Sequence, residues 1–189
     1  MKLLLASRSP RRKQLLKELG FDFETVKINC EEIIPDNLEI EKASTYLAEL
    51  KANSYQNLEK DEVLLTADTV VICKGEILGK PKDKIEATEM LAKLSNTSHF
   101  VHTAFSLKNS EKIITKNDVA KVYFKKIKDS EIENYIETCK PFDKAGAYGI
   151  QEWIGMAKIE KIEGSFYTIM GLPTHLLYEA LQEFSINLE

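Results

Sequence analysis

Several things are scarce in this sequence, and each scarcity narrows what the chain does. Its three cysteines, Cys30, Cys73 and Cys139, are odd in number and far apart. With no CxxC pair and no Cys/His cluster, neither a zinc site nor a disulfide framework is indicated. Small apolar residues in a reducing compartment are expected instead. No apolar run approaches the roughly 18–20 residues that a membrane-spanning helix needs, and Leu3 to Ala6 is too short for the core of a signal peptide. A cytoplasmic protein with no membrane partner is therefore expected. Basic residues are outnumbered, 26 Lys and Arg against 30 Asp and Glu, and the net charge of −4 speaks against a stable nucleic-acid complex. The histidines His99, His102 and His175 are scattered, with no spacing that suits a metal or a nucleophile, and are assigned to structure. GxGxxG and Walker motifs are absent, so generic dinucleotide or P-loop chemistry is unsupported. No repeat, low-complexity tract or linker interrupts the 189 residues, of which 43% are hydrophobic, and one domain over 1–189 is expected.

What is present alternates between strand and helix. Lys2-Leu3-Leu4-Leu5-Ala6 reads as a buried strand, and Pro10 to Gly20 as a helix with proline at its first position and glycine at its stop. Phe21–Ile28 alternates as a second strand, Asn29–Leu38 is an acidic loop, and Glu39–Leu58 has helical spacing. Val63–Cys73 is a strongly apolar strand that turns at Lys74-Gly75-Glu76 into Ile77-Leu78. Asp83 and Glu86 have capping-box spacing ahead of a helix to Leu94, and Ser130 and Glu133 repeat it ahead of a helix to Cys139. His99–Lys108 and Lys112–Phe124 read as a long hairpin, and Met156–Ile162 with Phe166–Met170 as a strand pair around Glu163-Gly164. Pro173 starts a last helix that ends near Phe184. Hairpins demand antiparallel pairs, so the order predicts an α/β fold with a mixed sheet rather than a doubly wound parallel one.

The chemistry begins with charge in the wrong place. Arg8, Arg11 and Arg12 crowd the start of the first helix, where the helix dipole disfavours cations by about 0.3–1 kcal/mol each. An anion at that end resolves the conflict, and seryl hydroxyls with guanidinium forks suit phosphate. Asp68 lies inside Leu64-Leu65-Thr66-Ala67-Asp68-Thr69-Val70-Val71-Ile72. A carboxylate there is costly to bury unpaired, and a structural hydrogen bond, a metal ion or a general-base role would each account for it. Glu31 and Glu32, in the acidic loop, offer a second carboxylate, and one of them beside Asp68 could hold Mg²⁺ or Mn²⁺. Taken alone, Lys80 reads as a loop lysine, Lys51 as part of a solvated helix face, and Trp153 as packing or a pocket wall. The stretch Phe142–Gln151 holds Asp143, Lys144, two glycines and a terminal amide, the composition of a loop that lets backbone approach a ligand.

Taken together, Leu5-Ala6-Ser7-Arg8-Ser9-Pro10-Arg11-Arg12, Ala67-Asp68-Thr69-Val70-Val71, Gly79-Lys80-Pro81, Asp143-Lys144-Ala145-Gly146-Ala147-Tyr148-Gly149-Ile150-Gln151 and Gly171-Leu172-Pro173 closely resemble the Maf family of nucleoside triphosphate pyrophosphatases. The resemblance runs from Leu3 to the last helix. It implies a bent mixed β-sheet flanked by helices, two lobes with a central cleft, similar to the inosine triphosphatase fold. It implies Asp68 as proton acceptor, a divalent cation (Mg²⁺ or Mn²⁺) near Glu32 and Asp68, and substrate held by Ser7, Arg8, Arg12, Lys51, Lys80, Asp143 and Lys144. Arg11, Thr69 and Gln151 resemble the branch of the family that hydrolyses dTTP and UTP rather than the branch acting on 7-methyl-GTP. The implied partner is a nucleoside triphosphate, and a homodimer is left open. Hydrolysis of other non-standard nucleotides, or a non-catalytic role in septum formation, are the alternatives.

Overall fold

The computed structural model describes residues 1–186 and 188. Among the described residues, seven strands and seven α-helices make up a mixed α/β fold. They are β1 (Lys2–Leu5), α1 (Pro10–Glu18), β2 (Glu24–Thr25), α2 (Ala43–Ser54), β3 (Glu62–Cys73), β4 (Glu76–Leu78), α3 (Lys84–Leu94), β5 (Ser98–Lys108), β6 (Ile113–Phe124), α4 (Asp129–Cys139), α5 (Trp153–Lys158), β7 (Ile159–Glu163), α6 (Phe166–Met170) and α7 (Thr174–Gln182). The strands form one seven-stranded sheet in the order β2-β1-β3-β5-β6-β7, with β4 paired to β3. β1 runs parallel to β2 and β3, while β3–β4 and β6–β7 are antiparallel, so the mixed sheet expected from the hairpins is what forms.

Two compact units divide the chain. The first comprises Met1–Asp68, Thr103–Asp118 and Gly171–Glu189. Its β1 is buried along Leu3, Leu4 and Leu5, and β3 along Val63, Leu64 and Leu65. Such continuous apolar runs, rather than alternation, belong to parallel strands covered on both faces. Helix α2 meets β3 through small residues, with Ala43, Ala48 and Ala52 all fully buried. The second unit comprises Thr69–His102 and Val119–Met170. Its core gathers Val71, Cys73, Leu91, Leu94, Val122, Ile132, Tyr135 and Ile154.

Local chemistry explains where the elements stop. Lys74 (φ 52°) and Gly75 (φ 78°) supply the two left-handed residues that a tight hairpin needs between β3 and β4. Asp83 caps α3 by accepting from the Glu86 N–H at 2.9 Å, while the Glu86 carboxylate reaches back to the Lys82 N–H at 2.7 Å. Asn109 Oδ1 accepts from the N–H groups of Glu111 and Lys112 and closes the turn between β5 and β6.

Four expectations are corrected. The second strand shrinks from Phe21–Ile28 to Glu24–Thr25, because β1 ends at Leu5 and offers later residues no ladder. Val26 and Ile28 pack instead against Leu4, Ala6 and Leu64. The expected Glu39–Leu58 helix is a 3₁₀ turn at Ile40–Lys42 followed by α2. Helix α4 begins after Lys128, not Ser130, because Glu131 rather than Glu133 turns back to accept the Lys128 N–H at 2.8 Å. Finally, Met156–Ile162 and Phe166–Met170 do not pair. Residues up to Lys158 belong to α5, β7 pairs with β6, and Ser165 Oγ accepts from the Tyr167 N–H at 3.2 Å at the start of α6.

Of the three histidines assigned to structure, His99 is the best enclosed. It is 1% exposed, its Nε2 lies 2.7 Å from Tyr148 Oη, and its ring meets Phe124 and Tyr148 edge-on. Burial lowers its pKa to about 4. The unfolded chain then binds the proton that the folded chain refuses, so stability falls as pH drops from about 6.5 towards about 4. Denaturant melts are expected to show about 2 kcal/mol less stability at pH 5 than at pH 7 from this group. The His99→Gln variant should lose most of that slope, and an unchanged slope would contradict the assignment.

Candidate active site

In the first unit, strand pairing sets the geometry. Leu3, Leu4 and Leu5 stand opposite Val63, Leu64 and Leu65, and the Ala6 N–H still donates to the Leu65 carbonyl at 2.9 Å. There β1 ends, while β3 continues through Thr66 and Ala67 to Asp68. The chain leaving β1 turns through Ser7–Ser9 into α1. Ser7 Oγ accepts from the Ser9 N–H at 3.2 Å, and Ser9, the N-cap, accepts from the Arg12 N–H at 3.4 Å. No acidic residue occupies the first turn of α1, so the expected crowd of cations faces the positive helix end. Arg12 fastens that end down. Its Nε donates to the Gly171 carbonyl and its Nη1 to the Ala67 carbonyl, both at 2.8 Å. Burial holds its guanidinium below the usual arginine range and Arg11 adds to this, whereas Asp68 and Glu32 favour the charged form.

Helix α2 brings the third charge. Thr66 Oγ1 donates to the Ala48 carbonyl at 2.7 Å, which docks the helix on β3. Residues two apart on a strand share a face, and residues three apart on a helix lie one turn along. Asp68 and Lys51 therefore meet one step beyond Thr66 and Ala48. Lys51 Nζ lies 2.5 Å from Asp68 Oδ1 and 2.9 Å from Glu32 Oε2. The lysine side chain is 9% exposed and that of Asp68 12%, against 47% for Glu32. Of the two loop glutamates, Glu32 is the one that Lys51 reaches. Lys51, which alone reads as a solvated helix residue, is buried.

The second unit holds the remaining candidates. Gly146 (φ 68°) lies so close to β3 that a Cβ there would meet Val71 Cγ1 at 3.1 Å, and its N–H donates to the Gly79 carbonyl at 3.0 Å. The Gly-containing loop is thus bonded to the residue preceding Lys80. Lys144 is 7% exposed, with its Nζ 2.8 Å from Asp143 Oδ1 and 3.1 Å from Glu152 Oε1. Its ammonium is enclosed by carboxylates of its own loop. Arg8, Lys80 and Gln151 are exposed, and Thr69 is half-buried immediately after Asp68. Sequence reasoning passed over Glu152 and Tyr135. The Tyr135 hydroxyl donates to Glu152 Oε2 and accepts from the Gly149 N–H at 3.0 Å. The cue for Glu152 is its place directly after Gln151; nothing in the sequence marks Tyr135, whose partners lie across a loop. Tyr135 is held well above the usual tyrosine range, by burial first and by its bond to Glu152 second.

The site thus combines, on a mixed α/β fold, cations crowded at a helix start with a lysine-bridged carboxylate pair. A family model described as Maf-like protein matches residues 2–184, and the chain belongs to that family. Among curated relatives, the dTTP/UTP pyrophosphatase of Flavobacterium johnsoniae is 46% identical, over 95% of this chain and 93% of that protein. That of Porphyromonas gingivalis is 45% identical over 97% and 94%. Among solved structures, the Staphylococcus aureus Ham1 protein superposes with a TM-score of 0.45 at 16% identity, over 68% of this chain and 73% of that one. Among the described residues, no helix is long and apolar enough to cross a membrane.

The buried Lys51–Asp68 pair yields a stability prediction. Removing one member of a buried ion pair leaves an uncompensated charge, at a cost on the order of 3 kcal/mol. Lys51→Met should lose about that much in urea melts. The double variant Lys51→Met/Asp68→Asn should recover much of the loss, and strict additivity would contradict the buried pairing.

Proposed function

We propose that this protein hydrolyses dTTP and UTP at the α-phosphorus, giving the nucleoside monophosphate and pyrophosphate, as a house-cleaning enzyme of nucleotide pools. The observation that carries the reading is the Lys51-bridged pair of Asp68 and Glu32 beside the cationic start of α1. The relatives named dTTP/UTP pyrophosphatase, at about the same length, support the substrate.

In this reading, the positive end of α1 with Ser7, Arg8 and Arg12 receives phosphate oxygens. Arg12 also stiffens the site, because two of its donors hold backbone carbonyls. Asp68, oriented through Oδ1 by Lys51, accepts a proton from the water that attacks the α-phosphorus. The new P–O bond forms as the bond to the bridging oxygen breaks, and the electron pair leaves on pyrophosphate. General-base help of this kind is worth about 10²–10⁴ in rate, so electrostatic positioning supplies the larger share. Lys80 and the pair Asp143–Lys144 are assigned to substrate by resemblance alone. In the structure Lys144 is committed to its loop.

The family resemblance also implies Mg²⁺ or Mn²⁺. Glu32 and Asp68 fit such an ion in donor chemistry: two hard carboxylates converge on one nitrogen. Mg²⁺ commonly takes only one or two carboxylates and completes its shell with water and phosphate oxygens. Among the described residues no group of three or more His, Cys, Asp or Glu could hold a metal ion, so the substrate would have to supply part of the shell. A bound ion would neutralise charge developing on the leaving group.

Base choice falls to Arg11, Thr69 and Gln151. An amide at Gln151 offers one donor and one acceptor, matching the N–H and carbonyl edge of uracil and thymine.

Three outcomes are expected in a phosphate-release assay with added pyrophosphatase, Mg²⁺ or Mn²⁺, and a panel of triphosphates. Release should be greatest from dTTP and UTP, and none from any triphosphate would overturn the proposal. Asp68→Asn should lower kcat by about 10²-fold or more with nucleotide binding largely kept. A near-normal kcat would remove Asp68 from its role. Gln151→Glu should depress UTP relative to other triphosphates, and an unchanged profile would count against the amide.

A further inference from the structure

The turn that carries Gln151 is tied into a closed circuit. The Glu152 N–H donates to the Gly149 carbonyl at 3.0 Å, a four-residue turn with Ile150 buried and Gln151 exposed at its third position. The circuit closes through side chains. The Gly149 N–H donates to Tyr135 Oη at 3.0 Å, and the Tyr135 O–H donates to Glu152 Oε2. The other carboxylate oxygen, Oε1, lies 3.1 Å from the buried Lys144 ammonium. Both ends of the turn are thereby held by one fully buried tyrosine on α4 and one carboxylate.

Sterics hold the same turn from two other directions. The Glu152 side chain folds back under Gly149, where a Cβ would meet its Cδ at 2.8 Å. At Gly155 a Cβ would fall 1.8 Å from the Ile150 carbonyl oxygen, so α5 starts directly against the turn. The Glu152 carbonyl in turn accepts from the N–H groups of Gly155 and Met156 at 3.0 and 3.3 Å. A plain surface turn has no need of a buried phenol, a buried ammonium and a half-buried carboxylate. Such groups are costly to bury unless fully bonded. What this one holds steady is the direction in which Gln151 leaves it.

We infer that Tyr135 and Glu152, with Lys144 behind them, are positioning residues that fix Gln151 for pyrimidine selection. The inference rests on the reading of Gln151 as a base-selecting amide. An amide discriminates between uracil and cytosine only if it presents the right end at the right angle. A turn free to rock would let either end reach either base, which is why an amide alone is a weak selector. Neither residue touches the reacting atoms, so loosening the turn alters recognition before it alters turnover.

The experiment compares kcat and KM for UTP and CTP in the full-length enzyme and in Tyr135→Phe, Glu152→Gln, Gln151→Ala and the double variant Tyr135→Phe/Gln151→Ala. Tyr135→Phe and Glu152→Gln are expected to lower the UTP-to-CTP ratio of kcat/KM about tenfold. KM for UTP should rise while kcat stays within about threefold, the signature of lost positioning rather than of a smaller folded fraction. The double variant should discriminate no worse than Gln151→Ala alone, since the tyrosine works through the amide. Two variants reach the circuit from different elements, so failure of one to fold leaves the other to decide. Equal losses of kcat on both nucleotides, with the ratio kept, would overturn the inference and make the circuit structural only. If Gln151→Ala shifts the ratio and neither circuit variant does, only this inference falls. If Gln151→Ala leaves the ratio unchanged, the base-selecting reading of Gln151 falls and takes the inference with it.

Discussion

The Lys51 ammonium, held between Asp68 and Glu32, is the constraint on which the rest of the first unit turns. An aspartate in the middle of a buried strand is tolerable only if its charge is answered. Here the answer comes from a helix docked one step earlier by Thr66 on Ala48, and from a loop glutamate reaching the same nitrogen. The parallel pairing of β1 with β3 then sets Arg12 beside the same stretch of β3, on the Ala67 carbonyl. Small residues along α2 are part of this arrangement. Ala48 and Ala52 are fully buried, and Thr66 bonds the Ala48 carbonyl one turn before Lys51. The charges balance locally, with Lys51 and Arg12 set against Asp68 and Glu32.

The second unit is held by the same kind of economy. Its glycine-containing loop is fastened at Gly146 to the carbonyl of Gly79, and at Gly149 to Tyr135. Lys144 lies within this loop, bonded by its neighbours rather than offered to solvent. The loop is therefore a mount fastened at both glycines, with Gln151 left exposed. The contrast with Arg8 and Lys80, both exposed, separates residues that build the mount from residues that face outward.

Much of the fold was legible because local signals agreed with it. The continuous apolar run of β3, the turn at Lys74-Gly75, the Asp83 cap and the Asn109 turn each specify their element with residues in contact along the chain. The failures have a common cause. Phe21–Ile28 alternates like a strand, but β1 ends at Leu5 and leaves the residues after Thr25 no ladder. Phe166–Met170 has strand composition, but Ser165 caps it as a helix while β7 takes its ladder from β6. Sequence pattern reports which side chains want burial; it does not report which partner is present.

The same division runs through the site. By itself the sequence determined the ingredients: arginines at a helix start, one carboxylate in an apolar strand, an acidic loop, and an amide closing a glycine-containing loop. Motifs of adjacent residues also sufficed to mark the family, because short-range spacing is kept when the chain folds. Only the tertiary structure decided how the charges are matched. It turned Lys51 from a surface residue into a buried bridge between Asp68 and the exposed Glu32, spent two donors of Arg12 on backbone, and joined Tyr135 to Glu152. Each of those pairings links residues brought together by strand register and helix docking. Their energies depend on burial and distance, quantities that a linear sequence does not contain.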